Sequence, residues 1–195
     1  HPAALANVAS WNASTYTFVV TVSTAVASNS AVQFTVKNVV SPSAKNVSKA
    51  PMTTTAPDGG IVDGPNNVTM DVITAGVLKG ALSWSSAVKT PAVPSIVTLS
   101  FSTTGRVPVG GKIKVILPDD GWTVMGGAPS VTFAGSLSAV KGTVTWDASS
   151  RTVEITTAEA IIGHATAVVI KLDGFVSPPC VTPSGIAMLS THVAD

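Results

Sequence analysis

The sequence predicts an all-β fold built from serially connected antiparallel β-sandwich domains, and three observations support this prediction. Short runs rich in Val, Ile, Thr and Phe often alternate with polar residues and end at Gly, Pro, Asn, Asp or Ser, which is typical of β-strands. No run of ten or more residues combines a helical period with capping residues. The third observation is an internal repeat with a spacing of about 135 residues, which is the length of a whole domain.

Two segments carry the repeat. The sequence WNASTYTFVVTV, which begins at Trp11, recurs as WDASSRTVEITT from Trp146. The sequence AVQFTVKNVVSPS, which begins at Ala31, recurs as AVVIKLDGFVSPP from Ala167. The chain of 195 residues therefore holds one full copy and the closing part of an earlier one.

The phase of the repeat predicts the domain organisation. Residues 1–75 are expected to form the C-terminal part of one sandwich, and residues 76–195 a second repeat. Because the chain begins with His1 rather than Met, we expect it to be either a processed mature protein or a segment of a longer polypeptide, and the phase of the repeat favours the segment. In this alignment the first unit lacks its opening strands and the second lacks its closing strand, so both would have sheet edges that need a partner.

The strands of each unit are predicted from the same runs, taken in chain order. In the first unit they lie near residues 7–11, 15–22, 31–39, 52–55 and 68–73. In the second unit they lie near residues 80–85, 96–102, 112–117, 130–133, 142–146, 152–156, 166–172 and 186–190.

Turn chemistry supports this division into strands. Asn12 and Asp147 each begin a four-residue turn between two strands, since both residue types tolerate turn geometry and bind their own backbone. The sequences PDGG from Pro57, VDGP from Val62 and PDDG from Pro118 are expected to close other strands. The acidic residues are accordingly interpreted as turn residues rather than calcium ligands, and they include Asp58, Asp63, Asp119, Asp120 and Asp173.

The alternation also predicts core positions. Phe34 and Val36 correspond to Ile170 and Leu172, and all four should face a sandwich core. The repeated pair Trp11 and Trp146 is expected to cover one end of each core. The single cysteine, Cys180, is expected to be a small buried hydrophobic residue, with an intermolecular pair or a reactive thiol as the alternative.

Composition excludes several partners. Only 11% of the residues are charged and the net charge is +1, so no basic surface for nucleic acid or an anionic membrane is predicted. The apolar runs are far shorter than the ~20 residues of a membrane-spanning helix. The polar surface must come from Ser, Thr, Asn and Gly, which suits a protein that is covered by sugar or by neighbouring copies.

The successive segments VTLSFSTTGRVPVGGKIKVILPDDGW, VTWDASSRTVEIT and AIIGHATAVVIKLDGFVSPP resemble the tandem Ig-like β-sandwich repeats of large secreted and cell-surface proteins of microbes. The resemblance covers residues 76–195 well and residues 8–74 as a partial copy without the GGKIKVILP half. It implies an extracellular spacer, adhesin or filament subunit, and it brings no enzymatic residues with it.

Three candidate glycosylation sites occur, all in the first unit. They are the Asn-x-Ser/Thr triplets at Asn12, Asn46 and Asn67, which lie in a hairpin turn, a loop and the start of a predicted strand. If the source is a eukaryote, we expect at least one of them to carry a glycan.

Catalytic and metal chemistry receive little support. An N-terminal histidine such as His1 can chelate copper, but this needs a second histidine, and only His164 and His192 are candidates. No nucleophile elbow, phosphate loop or cysteine–histidine cluster is present. We therefore predict no catalytic residue, no metal ligand and no cofactor.

Together these observations predict a non-enzymatic extracellular or cell-surface structural protein whose copies assemble head-to-tail into a filament, with strand sharing. The alternative is an adhesin or carbohydrate-binding β-sandwich module that uses loops such as residues 119–128. A copper enzyme is the third and weakest possibility.

Overall fold

The computed structural model describes residues 7–37, 39–40 and 44–194. This part of the chain is all-β, and its only helix is a short 3-10 helix at Gly135–Leu137. The prediction of an all-β, antiparallel fold is confirmed. The structure divides into two compact units, residues 1–40 and residues 41–195, and from here on the first and second unit are these two ranges.

The first unit contains one β-hairpin. Strands β1 (Asn7–Asn12) and β2 (Thr17–Val22) pair antiparallel, and Asn12 lies opposite Thr17 at the turn. Residues 31–37 belong to no strand. Apart from the half-buried Val20, every side chain described in this unit is exposed, so the unit has no core of its own within the described residues.

The second unit begins with a separate two-stranded sheet. Strands β3 (Lys49–Thr55) and β4 (Ile61–Thr69) pair antiparallel with two register shifts, which are bulges in the ladder. Nearly all of their side chains are exposed.

Two larger antiparallel sheets follow. One has the order β10-β11-β7-β13, and the other has the order β5-β6-β12-β8, with β9 also paired to β12. The strands are β5 (Lys79–Ser86), β6 (Pro94–Ser102), β7 (Lys112–Ile116), β8 (Thr123–Val124), β9 (Ser130–Phe133), β10 (Lys141–Asp147), β11 (Thr152–Ala158), β12 (Ala167–Val176) and β13 (Met188–His192).

One hydrophobic cluster joins the two sheets into a β-sandwich-like layer pair. Alternate residues of the inner strands point into it, as the period of two of a β-strand requires. Its members come from both sheets and include Val97 and Leu99 of β6, Ile113 of β7, Ile155 of β11 and Ile170 of β12.

Strand β12 has partners on both edges. It pairs with β6 on one side and with β8 and β9 on the other. A bulge between Leu172 and Phe175 contains Gly174, whose φ of +92° favours glycine, and its N–H donates to Asp173 Oδ1 over 2.8 Å. The bulge brings Phe175 into the core, where it is fully buried.

The predicted strands of the second sandwich are confirmed to within a few residues at each end. Three predictions in the preceding segments are wrong. Of the strand predicted near residues 31–39, the described residues form none although their pattern is that of one, because no described strand lies beside them. The VDGP sequence does not close a strand: β4 runs through it, and the positive φ of Gly64 coincides with the first register shift. The strand predicted near residues 68–73 is instead the end of β4, which stops at Thr69, and Ile73 forms only an isolated bridge with Lys45.

The predicted core positions are correct in the second unit and wrong in the first. Ile170 and Leu172 are fully buried, whereas Phe34 and Val36 are 52% and 41% exposed. Likewise Trp146 packs against the core, but its repeat counterpart Trp11 is 58% exposed. In each pair the buried residue faces an opposing sheet, whereas the exposed residue has no such sheet among the described residues of its unit.

Cys180 is exposed, so the prediction of a buried residue is wrong. It lies in the irregular segment between β12 and β13, outside the alternating strand pattern that buries apolar residues. Ser177, directly after β12, is buried instead, and its hydroxyl oxygen accepts from the Val93 N–H over 3.0 Å.

We expect Leu172→Ala to lower the free energy of unfolding of the second unit by about 2–5 kcal/mol, because the substitution leaves a cavity at a fully buried site. The matched control is Val36→Ala at the repeat counterpart, which is exposed and should change stability by less than about 1 kcal/mol. Urea denaturation followed by tryptophan fluorescence measures both. Equal effects of the two substitutions would contradict the assignment of the core.

Candidate functional site

A groove in the second unit lies beside the edge strands of its two sheets, β5 and β13. It is lined by residues of β5, by most of the segment 177–187 that precedes β13 and by Leu189 of β13, and it reaches down to the core residues Leu99 and Val115. Its volume is about 800 Å³. On the other side of the sandwich β9 contacts β10. The two layers are therefore open at the β5 and β13 side.

Both strands that border the groove have one edge without a partner among the described residues. β5 pairs only with β6, and β13 pairs only with β7. The outer edge of such a strand presents unpaired N–H and C=O groups, to which an extended chain can add.

Aromatic rings form the floor of the groove. Trp84 and Trp122 both line it, and their ring centroids lie 5.8 Å apart in an edge-to-face arrangement. Trp84 also meets the buried Phe175 edge-on at 5.4 Å, and Phe175 in turn meets Trp146 at 5.9 Å. This row of rings connects the groove with the core and stiffens its floor.

The groove offers few free polar groups. The Ser86 hydroxyl donates to the Val88 carbonyl over 2.6 Å, and the Ser177 hydroxyl donates to the Thr90 carbonyl over 2.6 Å. The indole nitrogen Nε1 of Trp84 is buried and has no hydrogen-bond partner within the described part of the chain. Charged side chains on the lining are Lys89 and Asp120. The site therefore suits an apolar occupant.

The loop proposed for ligand binding, residues 119–128, is largely held by the sandwich. Asp119 forms an ion pair with Arg151 at 2.9 Å, and Thr123–Val124 forms β8 against β12. Trp122 of this loop lines the groove. The loop is thus one wall of the groove rather than a separate platform.

The three glycosylation candidates all lie on the surface. Asn12, Asn46 and Asn67 are exposed, at the end of β1, in the segment before β3 and within β4, respectively. Asn12 also has a structural role, since its Oδ1 accepts from the N–H groups of Ser14 and Thr15 over 3.0 and 3.3 Å. This leaves its Nδ2, the atom that carries a glycan, outside the turn.

The histidines do not form a metal site within the described residues. His1 lies outside them, and His164 and His192 are both exposed. No group of three or more His, Cys, Asp or Glu side chains that could hold a metal ion occurs in the described residues.

Asp58 accepts from the Gly60 N–H over 3.0 Å, as a turn residue does, whereas Asp63 lies in β4 and accepts from the Thr54 hydroxyl.

One serine–histidine contact occurs. Ser190 Oγ and His192 Nε2 lie 2.9 Å apart on β13, on an exposed face of the strand. A nucleophile of this kind needs its base to be oriented by a third group, and no carboxylate is bonded to His192 in the described structure. The contact is a local pair of residues two positions apart.

The repeated hairpin turn is the best-defined electrostatic feature. Asp147 Oδ1 accepts from the Ser149 hydroxyl at 2.7 Å and from its N–H at 2.9 Å, in the position that Asn12 occupies in the first unit. The Ser149 and Ser150 hydroxyls, followed by their N–H groups, lower the pKa of Asp147 to about 2. Both copies of the repeat thus form the same turn, with an amide in one and a carboxylate in the other.

A second charged cluster lies on the sheet of β7 and β11. Glu154 contacts Lys114 at 2.9 Å and Lys112 at 3.4 Å across the two strands. The hydrogen bond from Lys114 lowers the pKa of Glu154 and outweighs the opposing effect of burial. These residues tie two strands together and lie away from the groove lining.

Comparison with protein-family models, curated proteins and solved structures finds no match for this chain. Within the described residues, no helix has the length and apolar character needed to cross a membrane.

The groove was not predicted from the sequence. The positions that would correspond to Trp84 and Trp122 in the first copy lie outside this sequence, so the repeat carries no signal for these two rings. Their place in a groove depends on the pairing of distant strands.

We expect acid to remove the contribution of the Asp147 carboxylate to stability. The pKa is lowered from 3.8 to about 2 on folding, so the contribution is complete above the higher value and is lost as the pH falls through the lower one. The comparison is with Asp147→Asn, which introduces at position 147 the amide side chain that Asn12 has at the equivalent position of the first copy. The stability difference between the wild type and this variant should shrink as the pH falls from 3.8 to about 2.

Thermal unfolding over a pH series measures this difference. The proteins should be made in bacteria, because the substitution creates an Asn-Ala-Ser triplet that eukaryotic cells could glycosylate. A difference that stays constant over the acidic range would show that the carboxylate is not stabilised by the turn.

If the source is a eukaryote, native material should carry an N-glycan on at least one of Asn12, Asn46 and Asn67. All three are exposed, and a surface with few charges depends on other polar groups for solubility. Peptide mass spectrometry before and after enzymatic removal of glycans checks this. Native eukaryotic material with three unmodified asparagines would contradict the prediction.

Proposed function

We propose that this chain is a non-enzymatic structural segment of an extracellular or cell-surface assembly, in which Ig-like sandwich repeats are arranged in series and copies associate head-to-tail into a filament. The observation that carries the proposal is the first unit. Its hairpin and residues 31–37 repeat the sequence of β10, β11 and β12, yet nearly every side chain described there is exposed.

Exposure on this scale is costly for a free protein. An isolated two-stranded hairpin is marginally stable in water, and large exposed apolar patches mark surfaces that another protein covers. In the second unit, the corresponding strands β11 and β12 pair with β7 and β6, and their alternate side chains lie in the core between the two sheets. The first unit therefore needs an opposing sheet of the kind that the second unit possesses.

The groove of the second unit is a complementary feature. It exposes an apolar interior and two strand edges, while the first unit exposes apolar strand-like segments. Two different surfaces that fit one another give a heterologous contact, and such contacts generate open polymers unless their rotation closes a ring. This supports a filament over a closed dimer.

The alternative is an adhesin or carbohydrate-binding module, and one observation favours it. Trp11 and Tyr16 are both exposed, with ring centroids 6.3 Å apart at the first hairpin. Exposed rings of this kind can stack on sugars. The same rings would equally be covered when a neighbouring copy packs on the first unit.

The filament proposal predicts that the full chain associates with increasing concentration into elongated particles. Light scattering coupled to size-exclusion chromatography measures the mass, and negative-stain electron microscopy shows the shape. A protein that stays monomeric over a wide range of concentrations would overturn the proposal. A monomer that binds glycans on an array, and loses binding in Trp11→Ala, would support the alternative instead.

A further inference from the structure

We propose that the groove between β5 and β13 receives residues 31–37 of a second copy of this chain as an added β-strand. This inference rests on the proposed function and identifies the contact that would join successive copies. The proposed occupant is this one segment of a second copy.

The segment has the properties of a strand without being one. Val32, Phe34 and Val36 alternate with polar residues, and the segment contains neither Gly nor Pro. The three apolar side chains are exposed at 56%, 52% and 41%, although Phe34 stacks on Phe18 with the ring centroids 6.3 Å apart. The segment lacks a strand partner in the described part of the chain.

The repeat shows what such a sequence needs. The counterpart of this segment is β12, which pairs along both edges and buries Val168, Ile170 and Leu172 completely. A strand with this pattern is therefore stable between other strands and above an apolar layer. Among the described residues, residues 31–37 have neither a neighbouring strand nor an apolar layer beneath them.

The groove supplies both requirements. Its length matches, since β5 has eight residues and a seven-residue strand extends over about 23 Å. The free edges of β5 and β13 offer backbone hydrogen bonds, and Leu82, Trp84 and Leu117 offer apolar contacts to alternate side chains. The single charge of the segment, on Lys37, lies at its end and can remain in solvent.

A peptide experiment tests the occupant directly. The acceptor is the full chain with Phe34→Asp, whose own segment is impaired and whose groove is unaltered. A fluorescent peptide of residues 31–37 should bind it saturably, and Phe34→Asp in the peptide should weaken binding by roughly tenfold or more, since an apolar anchor is replaced by a charge. Thr35→Asp in the peptide is the matched control, with the same charge on the alternate face, and should have a much smaller effect.

The groove is tested from the other side by Leu82→Asp in the acceptor. Leu82 is an exposed residue of the edge strand that lines the groove, so its substitution should weaken peptide binding without unfolding the sandwich. Ile161→Asp is the control, because Ile161 is similarly exposed and does not line the groove. Equal effects of the two acceptor substitutions, or no binding of the unmodified peptide, would overturn the proposal.

A mixing experiment tests whether the segment of one copy enters the groove of another. The full chain with Phe34→Asp lacks a working strand, and the full chain with Leu82→Asp lacks a working groove. Each should be monomeric alone, and an equimolar mixture should form a 1:1 dimer that grows no further. A mixture that stays monomeric although the peptide binds would overturn the proposal that a second copy supplies the strand.

The outcomes separate this inference from the proposed function. If the wild type forms filaments and the full chain with Phe34→Asp forms them equally well, the filament stands and residues 31–37 are not the joint. If the wild type never associates but the acceptor still binds the peptide, the groove site stands and the filament does not.

Discussion

The pairing of β12 is the constraint on which the second unit depends. This strand satisfies its backbone on both edges and presents a completely buried row of apolar side chains to the other sheet. A β-strand can be buried only when both demands are met together, because an unpaired buried backbone group costs about as much as a lost hydrogen bond. The second copy of this sequence meets both demands, and the first copy meets neither.

This contrast explains which parts of the fold the sequence could predict. The hairpin turns at Asn12 and Asp147 depend on contacts between residues two and three positions apart, and both form as expected. Residues 31–37 carry the alternation of a strand, but alternation encodes only the capacity to pair. Whether a pairing strand lies beside them depends on the rest of the structure, so Phe34 and Val36 could not be placed from their own sequence.

The groove was beyond prediction for a related reason. It arises where β5 and β13 end two different sheets, and these strands lie far apart in the sequence. The edge-to-face contacts of Trp84 with Trp122 and with Phe175 likewise join distant segments. Local chemistry fixes turns and strand faces, whereas the openness of a sandwich depends on which strands are left at its edges.

The two-stranded sheet of β3 and β4 has a different consequence. Both of its strands contain a proline, Pro51 and Pro65, and neither of these residues has an N–H to donate to a further strand. Two bulges add to this irregularity and twist the ladder. An exposed sheet of this kind resists sideways stacking with its neighbours. In the proposed filament, lateral aggregation would thereby be discouraged at this sheet, while the strand edges of β5 and β13 stay open for the next copy. Growth in a single dimension would then be favoured over a disordered precipitate.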